Sequence, residues 1–117
     1  MRTALTLAAL VLAAPAHAGW VSTIGYVTGV STYYNSDIIL VSLSNQPSSP
    51  APPGCTSMGA FAISSALDAT KRQNMLAQAL TAQATRMALN VTWDDAGGCV
   101  SYDGSAFPLI VRLTPMS

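Results

Sequence analysis

The sequence predicts a small, mostly β domain with one helix and one disulfide. Three observations carry that prediction. Large apolar residues alternate with small or polar ones through residues 20–32, 38–43, 87–93 and 107–113, the period of a half-buried strand. Residues 69–84 contain neither Gly nor Pro and are dominated by good helix formers. Cys55 and Cys99 are the only cysteines among the 117 residues.

Residues 1–18 read as a cleavable export signal. Arg2 supplies a positive start, residues 4–14 are an unbroken run of Ala, Leu, Thr and Val, and Ala16-His17-Ala18 fits the small-x-small rule for signal peptidase. The run is about half the length that a bilayer requires. Cleavage would leave a single domain, residues 19–117, in the periplasm or the medium. His17 and Arg2 would leave with the signal. Lys71, Arg72, Arg86 and Arg112 would then face five aspartates, a net charge of −1, with no glutamate.

That balance excludes several functions. The basic patch of a nucleic-acid binder is missing, and so is the polybasic cluster that anionic lipids attract. No segment after residue 20 is long and apolar enough to insert in a membrane. With no histidine or glutamate retained, neither a Ser-His-Asp nor a Cys-His arrangement can be assembled within the chain. The expectation is a non-enzymatic protein with no cofactor and no metal.

A domain of this size buries only about 60–65% of its unfolded surface and is marginally stable unaided. Two cysteines in an oxidising compartment pair with each other. Closing a loop of this length is worth roughly 4 kcal/mol in the chain-entropy model. The alternative, a reactive thiol or a metal site, has no histidine or third cysteine to support it.

In chain order, Trp20, Ile24, Tyr26 and Val30 define one apolar face of a long first strand, with Gly25 and Gly29 permitting a bend or bulge. Tyr33-Tyr34-Asn35-Ser36-Asp37 has turn formers at its centre, and Ile39, Val41 and Leu43 share one face of the strand that follows, completing a hairpin. Residues 44–54 hold Pro47, Pro50, Pro52 and Pro53 among serines, which suits an exposed loop and not a central strand. A short strand is expected over residues 60–64. Asp68 suits a helix N-cap. Arg72, Met75, Leu76, Ala79, Leu80 and Gln83 recur at intervals of three and four as the packed stripe, while Lys71, Asn74, Gln78, Thr81 and Thr85 lie opposite. Met87, Leu89, Val91 and Trp93 alternate as a fourth strand. Residues 94–98 form a turn, a polar loop follows Cys99, and Phe107, Leu109, Val111 and Leu113 face one way along the last strand.

The resulting order, β-β-β-α-β-β, is that of an OB-fold-like five-stranded barrel with its helix between strands three and four. This layout, with a leader, a hairpin, a Cys-containing loop, an Ala/Leu-rich helix, a strand and a second Cys, resembles the small exported B subunits of A–B toxins. Tyr33-Tyr34-Asn35-Ser36-Asp37 is similar to a Tyr-Tyr-Ser-Asp segment of typhoid- and subtilase-toxin-like B subunits, with Asn35 inserted between the tyrosines and the serine. The resemblance implies a homo-oligomeric ring, a pentamer in that family, an enzymatic A subunit as partner, and binding of cell-surface glycans at Tyr33, Tyr34, Ser36 and Asp37.

The residues themselves allow the same reading. Tyr26, Tyr33, Tyr34 and Trp20 can offer aromatic faces to sugar rings, with Asn35, Ser36 and Asp37 addressing hydroxyls, the mixture that ligand sites use. The plain alternative is that Tyr33 and Tyr34 are hairpin-end residues and Trp20 closes a barrel end. Asp94, Asp95 and Asp103 could supply oxygens to Ca²⁺, but their setting among Ala, Gly and Ser is that of turn formers. Asn90-Val91-Thr92 matches a glycosylation sequon by chance. The leading expectation is an exported binding subunit for glycans. The other is a structural or periplasmic interaction protein with no sugar site.

Overall fold

Strand β1 (Trp20–Tyr33) organises the structure, a computed structural model that describes residues 19–48 and 50–116. The leader expected over residues 1–18 lies outside the described residues. After β1 come β2 (Ser36–Leu43), β3 (Phe61–Ile63), helix α1 (Ala69–Thr85), β4 (Ala88–Asp94), β5 (Cys99–Tyr102), β6 (Ser105–Pro108) and β7 (Ile110–Pro115). The fourteen residues of β1 serve two partners. Its first half pairs antiparallel with β4, from Trp20 opposite Asp94 to Tyr26 opposite Ala88. Its second half pairs with β2, and the register shifts between Val27 and Gly29. The sheet order is β3-β2-β1-β4-β7, while β5 and β6 form a separate hairpin.

The fold is thus mostly β with one helix, as expected, but the closed five-stranded barrel is not what forms. Seven strands are present among the described residues and the five-stranded sheet is open, with β3 and β7 at its edges. The single expected strand through Phe107 to Leu113 is divided in two. Pro108, with no N–H to offer a ladder, ends β6 opposite Cys99, and only beyond Leu109 does the chain join β4 as β7. Between the edges there is one isolated parallel bridge, Ala62 with Leu109. The expected polar loop after Cys99 is instead the hairpin β5–β6, closed by Asp103 and Gly104 at φ 51° and 82°. Positive φ at both central residues is the tight hairpin geometry that Asp-Gly favours.

Two apolar clusters hold these pieces. On one face of the sheet, Val27, Ile39, Val41, Leu43, Phe61, Ile63, Leu89, Val91, Trp93, Ile110 and Leu113 pack with Ala79 and Ala82 of α1. On the other face of β2 and β3, Ile38, Leu40, Ala60 and Ala62 are covered by Val100, Tyr102 and Phe107 of the hairpin, together with Tyr33. Ile39, Val41 and Leu43 share a face as their spacing predicts. Burying a side chain such as Phe61 completely is worth about 1.5–3 kcal/mol.

Two faces differ from expectation. On β1 the apolar even positions Trp20, Ile24 and Tyr26 are about half exposed, while Val21 and Val27 reach the core. The irregularity after Val27 then lets Val30, three residues on, pack on the same side. On α1 the buried residues are Ala79 and Ala82, flanked by half-buried Arg72, Met75 and Leu76. Leu80 stands 46% exposed and does not belong to the packed stripe. Alanine prevails because the helix lies close to the sheet, where a small side chain lets the backbones approach. Asp68 caps the helix by accepting from the Lys71 N–H at 2.8 Å.

The disulfide joins Cys55 and Cys99, with 5.5 Å between their Cα atoms. It ties the proline-rich loop to the start of β5. Thr56 and Ser57 extend the attachment by donating their N–H groups to the Ala106 carbonyl at 2.8 and 3.0 Å. The Ala106 N–H is returned to Thr56 Oγ1 at 2.8 Å.

Candidate functional site

The segment that the sequence singles out is the tip of the β1–β2 hairpin. Tyr33 pairs with Ser36 across the turn formed by Tyr34 and Asn35. Each of the four expected site residues has a distinct surrounding. Tyr33 stacks on Tyr102 of β5, ring centroids 4.3 Å apart and planes inclined by 32°. Ser36 Oγ accepts the Ile38 N–H at 3.2 Å, which ties the hydroxyl to its own turn. Asp37 faces Arg72 of α1 at 3.6 Å, its carboxylate mostly in solvent. Tyr34 is fully exposed.

The second hairpin completes the arrangement. The Tyr102 hydroxyl donates to Asn35 Oδ1 at 2.9 Å, so ring and tip are held by one stack and one hydrogen bond. From Tyr102 a groove of ≈ 440 Å³ runs past Asp103, Gly104 and Ser105 to Gly54 and Thr56. The result is an aromatic platform with one fully exposed ring, amide and hydroxyl groups beside it, and a polar groove alongside. Such a surface can stack on the apolar face of a ring and address hydroxyls by hydrogen bonds.

Tyr102 was not among the residues singled out in the sequence. Its signal was Asp103-Gly104, a strong tight-turn dipeptide, flanked by Val100, Tyr102, Ser105 and Phe107. Trp20 and Tyr26 lie along β1, about half exposed and outside this tip. Trp20 borders a shallow depression with Ser22, Thr92 and Arg112. The tip lies toward the first turn of α1, where Arg72 meets Asp37. A larger groove, ≈ 590 Å³, lies at the other end of the helix, lined by Tyr26, Val27, Thr28, Ala82, Gln83 and Arg86.

Asp94, Asp95 and Asp103 do not converge. The Asp94 carboxylate accepts the Ala96 N–H at 2.8 Å, and Asp103 occupies the tight turn. Among the described residues no three His, Cys, Asp or Glu side chains come together. Asn90 sits in the middle of β4, between Ile24 and Thr114 on the neighbouring strands. No described helix is long and apolar enough to cross a membrane. No protein-family model matches the chain, and neither a curated protein nor a solved structure is significantly similar to it.

Proposed function

We propose that the chain is an exported, non-catalytic carbohydrate-binding domain whose site is the joined tip of its two hairpins. The observation that carries the proposal is Tyr34. A tyrosine wholly in solvent has no packing reason to be there, and it stands next to a rigid Tyr33–Tyr102 stack. The Cys55–Cys99 disulfide is compatible with an oxidising compartment outside the cytoplasm. The sheet order, with Ala62 touching Leu109 in parallel across the gap, supports an OB-like path left open at one seam, a path that other proteins use to bind oligosaccharides. Each site would be weak, with dissociation constants of about 1 mM, since stacking and a few solvent-exposed hydrogen bonds act there. Assembly of several copies would raise the avidity, and the half-exposed Ile24 of β1 supports such assembly.

The test is retention on a broad glycan array, wild type against Tyr34→Ala. Because Tyr34 touches no core residue, the substitution should leave circular dichroism and melting temperature unchanged while abolishing retention. Absence of any retention by the wild type would favour a structural or interaction role.

A further inference from the structure

We propose that the groove between the end of α1 and the β1 irregularity is a second ligand site, one that takes a carboxylated saccharide through Arg86. It is the larger of the grooves described above, and its ≈ 590 Å³ falls within the range of small-molecule sites, about 300–1,000 Å³. Its floor includes the core residues Val27 and Ala82. Tyr26, Thr28, Gln83 and Arg86 complete the lining, so an apolar base is bordered by an aromatic residue, a hydroxyl, an amide and a guanidinium. An apolar floor suits the C–H face of a sugar ring, and the amide and hydroxyl suit its oxygens. A guanidinium holds a carboxylate through two parallel hydrogen bonds.

Two features set Arg86 apart from the other described arginines. Among the described residues, Arg72 pairs with Asp37 and donates to the Leu67 carbonyl, and Arg112 donates to Thr92, whereas the Arg86 side chain has neither an ion pair nor a hydrogen bond. Its backbone is left-handed, φ 58° and ψ 34°, at the position that ends the helix. There Met87 N–H reaches back to the Ala82 carbonyl at 3.0 Å, a turn in which glycine or asparagine is the usual occupant. Arginine is strained in that conformation, so the fold alone would favour glycine. The site is separate from the hairpin tip: Arg72, which meets Asp37 there, precedes Arg86 by almost four helical turns, about 20 Å of rise.

That conformation makes the test clean, because Arg86→Gly relieves strain while removing the guanidinium. Methyl β-glucuronide and its neutral counterpart, methyl β-glucoside, would be titrated into ¹⁵N-labelled protein and followed by amide shifts. The expected result is saturable shifts at Thr28, Gln83 and Arg86, with the glucuronide bound about tenfold more tightly than the glucoside. Arg86→Gly should lose that preference while melting no lower than the wild type, and Arg86→Gln should also lose it. Tyr34→Ala should keep it, so failure at the tip and failure at the groove are read separately. Shifts confined to the tip, no saturable shift at all, or an undiminished preference in Arg86→Gly would each overturn the proposal.

Discussion

Tyr102 and Asn35, 67 residues apart in the chain, are joined by a 2.9 Å hydrogen bond that couples the tips of two hairpins belonging to different sheets. The bond orients the tip, and the ring beneath it supplies the stacking partner for Tyr33.

Removing only the hydroxyl separates these contributions. Tyr102→Phe keeps the stack and should lower stability by about 0.5–1.5 kcal/mol. Tyr102→Ala removes both and should cost more, because it also strips an aromatic cover from Ile38 and Leu40. Urea titrations of the three proteins would measure the ladder. Equal midpoints for Tyr102→Phe and Tyr102→Ala would show that the ring contributes nothing.

The disulfide should be the largest single contribution to stability. Cys99→Ala is expected to cost about 2–5 kcal/mol, because the proline-rich loop loses its covalent attachment to β5. Intact mass of protein purified without reductant should lie two hydrogens below that of the reduced chain. Two alkylatable thiols in that preparation would contradict the assignment.

Along α1, exposure reverses the ranking that side-chain size suggests. Leu80→Ala should stay within about 0.5 kcal/mol, since the leucine is nearly half exposed. Ala82→Leu inserts a larger side chain where almost no surface is accessible and should cost about 1–3 kcal/mol. Thermal unfolding of both variants decides it. A Leu80→Ala loss exceeding that of Ala82→Leu would mean that the helix turns Leu80, not Ala82, toward the sheet.

Much of this architecture was legible in the residues because local rules acted alone there. Leu89, Val91 and Trp93 alternate in sequence and all reach the main core, and Ile39, Val41 and Leu43 do the same, although Ile38 and Leu40 between them are buried on the other face. Asp68 before a stretch free of Gly and Pro was sufficient to start the helix, and the left-handed turn at Arg86 that ends it has no Gly to announce it. The pairing of Cys55 with Cys99 followed from there being only two.

Other features were decided by tertiary structure. The large residues Trp20, Ile24 and Tyr26 mark a strand correctly but not its inner face, because the core also accepts Val21 and Val27 from the opposite side and the register shift after Val27 resets the phase. Leu80 is left in solvent because a helix lying close to a sheet packs through Ala79 and Ala82. Tyr102 comes to Tyr33 only because the β5–β6 hairpin folds over β2 and β3, a contact between segments that share no local pattern. The periods, the cap and the covalent link could be read from the residues, each a property of near neighbours or of composition. The open sheet, the buried faces and the joining of the two tips were settled by the tertiary structure, because each depends on which surfaces compete for the same buried volume.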